Sequence, residues 1–201
     1  MSHSQASPFS GLQAGPGHAL THGEADDVRL IEPAPAALIN LRGDADDPAF
    51  LAAVQDCGGP ALPLQPNTVA HSAAWLALWL SPDEWLLRGA DPQTGARDTL
   101  NALERALQGR HFALTDQSSG HAILHLQGPR ASETLNRGCP LDLHPKVFPS
   151  GHCAQSLYFQ ISVLLHPLET RGSVHVHWEI IVRRSFADAA ARQIMDAMRD
   201  R

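Results

Sequence analysis

Lysine is nearly absent. Lys146 is the only one among fifteen Lys and Arg residues in a chain of 201, and the arginines are scattered with no basic block. With a formal net charge of −6, this disfavours a nucleic-acid partner held through phosphates. Long apolar runs are missing too. The longest, residues 73–80, falls far short of the roughly 20 residues a membrane span needs, so no transmembrane helix is expected. Cysteine is limited to Cys57, Cys139 and Cys153, neither an even set nor a C-x-x-C pair, which reads as buried thiols in a reducing compartment. No Lys or Arg precedes Arg29 and no continuous apolar stretch opens the chain, so a secretory signal is not expected and a cytoplasmic location is. Several catalytic signatures are also lacking. G-x-G-x-x-G is not found between a strand and a helix, since the closest glycines, Gly15 and Gly17, flank Pro16 in the N-terminal stretch. There is no phosphate loop and no G-x-S-x-G elbow; Ser118-Ser119-Gly120 reads as a turn between strands.

What is present is an α+β pattern. Residues 1–36 are rich in Ser, Gly, Pro, His and Gln, with apolar residues too sparse to offset ordering entropy, and read as a flexible polar tail. A strand at 37–42 is followed by a helix that Asp47 caps and Pro48 begins, ending at Gly58-Gly59-Pro60. Pro60, Pro63 and Pro66 argue against regular structure until Ala73. A central strand over 74–80 turns at Ser81-Pro82-Asp83 into a hairpin partner at 84–88. A second helix, opened by Asp91 and Pro92, carries Ala96, Leu100, Leu103 and Leu107 on one face, and a strand at 111–115 follows. Strand, helix, strand, strand, helix, strand is the ferredoxin-like order. After Gly120 the pattern restarts: Ile123-Leu124-His125-Leu126 echoes Leu38-Ile39-Asn40-Leu41, and Glu179-Ile180-Ile181-Val182-Arg183 echoes Glu84-Trp85-Leu86-Leu87-Arg88. The expectation is two ferredoxin-like antiparallel sheet units in tandem, about 37–116 and 117–201, with helices packed on one face. In the strand 174–182, Val174, Val176, Trp178, Ile180 and Val182 face one side and His175, His177, Glu179, Ile181 and Arg183 the other. The last helix opens at Ser185.

Few residues offer chemistry. His175, His177 and Glu179 share a strand face and have zinc-ligand chemistry, although a solvated strand face has the same composition. His121 and His125 share a face as well. Cys139 and Cys153 have no nearby base or helix N-terminus to activate them. Arg183-Arg184 could present two guanidiniums to an acidic partner surface. The proline-punctuated loop holding Leu141, Leu143, Val147 and Phe148 is either an exposed apolar patch for a partner or a connection packed on the protein's own core.

The run from Asp116-Gln117-Ser118 through Leu124-His125-Leu126-Gln127-Gly128-Pro129-Arg130-Ala131 resembles the D-x-S-x(4–5)-L-x-L-x-G-P-x-A element of the aminomethyltransferase (glycine-cleavage T-protein) superfamily. Several further stretches are similar, in order, to the gamma subunits of heterotetrameric sarcosine oxidase. They are Arg137-Gly138-Cys139-Pro140-Leu141-Asp142-Leu143-His144-Pro145, Phe148-Pro149, Gly151, Cys153-Ala154-Gln155, Val163-Leu164-Leu165-His166 and Val182-Arg183-Arg184-Ser185-Phe186-Ala187-Asp188.

That resemblance implies an aminomethyltransferase-like fold and an accessory subunit with no catalytic residues, no cofactor and no metal of its own. Its complex demethylates sarcosine oxidatively to glycine, giving hydrogen peroxide and, with tetrahydrofolate, methylenetetrahydrofolate. FAD, FMN, NAD, tetrahydrofolate and zinc are then expected on the alpha, beta and delta subunits. Cys139, Pro140, Leu141, Leu143, His144, Val147, Phe148, Arg183 and Arg184 are the expected partner-interface residues. The histidine-rich 174–177 strand and the long tail depart from the family pattern. The alternative is a free-standing folate-binding protein or enzyme of the same superfamily, whose members are longer and carry an additional β-domain. The superfamily's iron–sulphur repair proteins expect K-G-C-[YF]-x-G-Q-E, whereas Gly138-Cys139 is followed here by Pro140-Leu141-Asp142.

Overall fold

In a computed structural model of the chain, the described residues are 7–9, 12, 19–20, 28–168 and 177–199. The elements run in chain order β1 (Arg29–Ile31), β2 (Leu38–Gly43), α1 (Pro48–Asp56), β3 (Val69–His71), β4 (Trp75–Ser81), β5 (Glu84–Gly89), α2 (Ala96–Ala106), β6 (Phe112–Asp116), β7 (His121–Gln127), α3 (Ala131–Asn136), β8 (Ala154–Tyr158), β9 (Ile161–Leu168), β10 (His177–Arg183), a 3₁₀ turn (Arg184–Phe186) and α4 (Ala187–Arg199). They form two compact units. One comprises Pro35–Ser119 with Gly151–Ala154; the other comprises Gly120–Ser150, Gln155–Arg201 and the stretch up to Ala34.

In the first unit the sheet order is β3-β4-β5-β2-β6 with antiparallel pairings, for example Ile39 opposite Leu87 and Leu41 opposite Leu114, and a register shift between Trp79 and Ser81 in the β4–β5 pair. Without the edge strand β3 this is the ferredoxin-like arrangement. Period-two alternation sends Ile39, Leu41, Trp75, Ala77, Trp85 and Leu87 toward the helices, where they meet Phe50 and Val54 of α1 and Leu103 and Leu107 at the end of α2. Phe50 and Trp85 pack ring to ring at 6.0 Å, and the Trp85 indole N–H donates to the Pro63 carbonyl at 2.8 Å. α1 starts where the sequence indicates: the Asp47 carboxylate accepts from the Ala49 amide at 2.9 Å, and Pro48 needs no amide partner at that position.

Two local expectations are corrected. Asp91 does not open α2; its side chain accepts from the Gln93 amide in a turn, and the helix begins after Gly95 with no side-chain cap. The proline-rich segment does hold a strand: β3 lies beyond Pro66, so none of its amides is lost to proline, and it pairs with β4 from Val69 opposite Leu78 to His71 opposite Leu76.

The second unit repeats this order as β1-β7-β10-β9-β8. Its fourth ferredoxin-like strand is β1, paired antiparallel with β7 (Leu30 opposite Leu126) and supplied from a stretch that composition reads as tail. Residues 28–36 are therefore not a tail, and Phe9, Leu20, Val28 and Leu30 are buried in this unit's core. The core joins these residues to Leu124 and Leu126 of β7, Val163 and Leu165 of β9, and Trp178, Ile180 and Val182 of β10. Helices α3 and α4 cover them with Leu135, Ala187, Ala190, Ala191 and Ile194. The α4 residues recur at intervals of three and four, one face of a helix. Residues 174–176 of the expected long strand lie outside the described residues, and the turn Arg184–Phe186 precedes α4, which starts two residues after Ser185.

Candidate functional site

The face of the second sheet turned away from its helices carries the polar residues. Because Leu124, Leu126, Trp178 and Ile180 point to the helices, His125, Gln127, His177 and Glu179 point to the opposite face. Register then aligns residues far apart in sequence: Glu179 of β10 sits opposite His125 of β7 on one side and His166 of β9 on the other. The two imidazoles bracket the carboxylate. His125 Nε2 lies 3.0 Å from one Glu179 oxygen and His166 Nε2 lies 2.9 Å from the other. In the next row His177 is opposite Gln127, with their side chains 3.2 Å apart, and the His177 ring stands edge-on to His125 at 4.7 Å.

Burial governs how this cluster behaves. Glu179 and His166 are excluded from solvent, and an isolated carboxylate there would cost several kcal/mol. Two ring N–H donors, one per oxygen, offset that cost. Burial also holds the His177 imidazole down to about 4, with His125 and His166 pushing the same way and Glu179 opposing them. The cluster therefore acts as an internal clamp: a shift of β10 by one residue against either neighbour would separate the carboxylate from both imidazoles.

This corrects the reading of the face as solvated at Glu179. His175 lies outside the described residues. Glu179 is buried and committed to histidines on other strands, and among the described residues no group of three His, Cys, Asp or Glu has metal-holding geometry. His166 was missed as a partner, although a lone histidine at the end of the apolar run Val163-Leu164-Leu165 was the available signal.

The structure separates the expected interface residues. Cys139 and Leu143 are buried in the unit's own core, Leu141 and Phe148 pack against it, and the Phe148 ring lies 5.4 Å from that of Trp178. Pro140, His144 and Val147 remain exposed, Val147 at 61%. Arg183 is exposed where β10 ends, whereas Arg184 is partly buried and its charge acts on the buried Glu32 of the same unit. Burial raises the Glu32 carboxyl, while hydrogen bonding from Ser7 and the Arg184 charge lower it. Cys139 and Cys153 are both buried, and burial pushes the Cys153 thiol up to about 12.

Residues 42–200 match the family described as sarcosine oxidase, gamma subunit family. The chain belongs to that family. Sarcosine oxidase subunit gamma of Corynebacterium sp. (strain P-1) is 32% identical over 175 residues, covering 87% of this chain and 81% of the relative. That of Corynebacterium sp. (strain U-96) is 33% identical over 148 residues, covering 73% and 68%. Among solved structures, a chain of the heterotetrameric sarcosine oxidase from Corynebacterium sp. U-96, in complex with pyrrole 2-carboxylate, aligns with a TM-score of 0.74 at 31% identity. That alignment covers 85% of this chain and 83% of the other. The glycine cleavage system aminomethyltransferase T from Bartonella henselae aligns with a TM-score of 0.58 at 16% identity, covering 83% of this chain and 45% of that one. This second likeness is one of fold. The aminomethyltransferase-like α+β architecture of this gamma-family chain is thus shared with a protein twice its aligned length.

Proposed function

We propose that the chain is the accessory gamma subunit of a heterotetrameric sarcosine oxidase and performs no bond chemistry itself. The complex demethylates sarcosine oxidatively to glycine, releasing hydrogen peroxide and, with tetrahydrofolate, forming methylenetetrahydrofolate. FAD, FMN, NAD, tetrahydrofolate and zinc belong to the alpha, beta and delta subunits, and none is assigned to this chain. The complex is cytoplasmic, and no helix among the described residues is long and apolar enough to cross a membrane.

The observation that carries this reading is the 31% identical chain of the heterotetrameric enzyme, matched over more than four-fifths of both chains. The side chains are in keeping with it. The ionisable cluster around Glu179 is internally paired, with Glu179 and His166 buried, as suits a scaffold. Partner contact is placed on the 139–148 loop and on Arg183-Arg184. The exposed Pro140, His144, Val147 and Arg183 reach the partner directly, while Cys139, Leu141, Leu143 and Phe148 hold the loop in place.

Affinity purification of the tagged full chain from its native cell, followed by mass spectrometry, tests the proposal. Co-purification of a flavin-containing oxidase in stoichiometric amount is expected. A chain that purifies alone and binds tetrahydrofolate tightly in calorimetry would instead be the free-standing folate protein.

A further inference from the structure

Three of the five large apolar side chains exposed among the described residues, Leu157, Phe159 and Phe186, sit at one end of the second sheet, where β8 turns into β9 and β10 stops. Scattered singly, exposed apolar residues need no explanation; gathered at one sheet end, they do. Phe159 also holds its backbone in the left-handed region, with φ of +51°, which glycine or asparagine adopts at less cost. All three residues belong to one compact unit.

At the same end lies an arginine without an acid. Register places Arg183 opposite His121 of β7, and the β9 pairing that ends with Val182 opposite Val163 puts Ser162 on its other side. The two-residue turn between β8 and β9 then sets Leu157 beside Ser162, because Tyr158 and Ile161, which flank the turn, both enter the core. His121, Arg183, Ser162 and Leu157 therefore form one row across the outer face. Ile123, Ile181 and Leu164, the next row inward, are buried, whereas Arg183, Ser162 and Leu157 are exposed. The covering of this face stops just short of Arg183.

The chain has 21 Asp and Glu against 15 Lys and Arg, and Arg42, Arg110, Arg130, Arg192 and Arg199 each sit beside a carboxylate. Arg183 has no ion pair among the described residues, while the charge of Arg184 acts on Glu32. A guanidinium beside exposed aliphatic and aromatic side chains has the composition of an interface centre, and its planar fork suits a carboxylate. A free phosphate would meet one guanidinium and no glycine-rich nest. An acid carried on an apolar protein surface fits better.

We propose that this sheet end docks another subunit of the oxidase, whose Asp or Glu side chain pairs with Arg183 while apolar residues around that acid cover Leu157 and Phe186. The proposal rests on the subunit reading above and gives that contact its chemistry.

The test uses the full chain with the companion alpha, beta and delta subunits. Arg183→Lys keeps the charge and supplies a primary amine, in a chain whose sole lysine is otherwise Lys146. Zero-length carbodiimide coupling of the assembled complex, read by peptide mass spectrometry, should join position 183 to an Asp or Glu of a companion subunit. In titrations, Arg183→Glu should weaken association about tenfold or more and Arg183→Lys by less, while the Tm of the chain alone stays unchanged for both. Arg183→Glu binding within about twofold of wild type would overturn the docking surface and leave the subunit reading intact. So would coupling from position 183 that reaches only this chain or a second copy of it, or no coupling there at all. A wild-type chain that does not associate with those subunits would overturn both.

Discussion

The Glu179 carboxylate lies 2.9 Å from Nε2 of His166, across two adjacent strands and with both side chains buried. Neither residue is stable there without the other. Replacing His166 by Leu removes an imidazole donor from a buried carboxylate, a mechanism that costs about 2–4 kcal/mol. For a chain of this size that is a fall in Tm of about 5–15 °C. Thermal melts of His166→Leu and of the double variant Glu179→Leu/His166→Leu check it. The double variant should recover part of the loss, because no unsatisfied charge is left behind.

The same cluster makes stability depend on pH. His177 is held down to about 4 by burial and by His125, against about 6.5 in the unfolded chain. Between those values the unfolded chain takes up a proton that the folded one refuses. The contribution is therefore complete above pH 6.5 and is lost as pH falls toward 4. Because the ring is only partly buried, the loss is expected to be about 1 kcal/mol rather than the full linkage value. Urea midpoints at pH 7 and pH 5 should diverge more for wild type than for His177→Gln, and equal divergence would refute the assignment.

Leu30 lies in a segment that composition reads as tail, yet it is fully buried in the sheet beside β7, with α4 against β1. Leu30→Ala should cost about 2–5 kcal/mol, as for core leucines. A true tail residue would leave the urea midpoint unchanged, so the measurement separates the two accounts directly.

The three thiols should differ in reactivity. Cys153 is buried and its thiol is pushed up to about 12 by that burial, while Cys139 is buried against Ser156. Cys57 is partly exposed. Titration of the native protein with a thiol reagent at pH 8 should modify Cys57 first and leave the other two protected until denaturant is added. Rapid modification of Cys153 in the native chain would contradict its placement.

Gly43 closes β2 directly over the Phe50 ring, where an added Cβ would overlap the aromatic carbons. Gly43→Ala forces the buried ring to move, at about 1–3 kcal/mol of overpacking. A Gly43→Ala/Phe50→Leu double variant, measured in urea beside each single variant, should lose less than the sum of the two.

The sequence by itself determined whatever depends on local pattern. The cap of α1 follows from Asp47-Pro48, the inward face of β10 from alternation, and the duplicated ferredoxin-like order from the echo between β2 and β7. These are set within a few residues of the chain. Family membership was legible too, because ordered motifs survive at about a third identity. Only the tertiary structure decided the rest. A three-residue strand such as β1 carries too few apolar positions to show a period, and it becomes a strand only because β7 offers an unpaired edge. The partners of Glu179 come from positions 54 and 13 residues away, so nothing local distinguishes a buried, bracketed carboxylate from a solvated one. The apolar loop 139–149 could equally have faced a partner or its own core. What settled Phe148 inward was the space beside Trp178, and Leu143 the core of the same unit, which exists only once β7, β9 and β10 are in register.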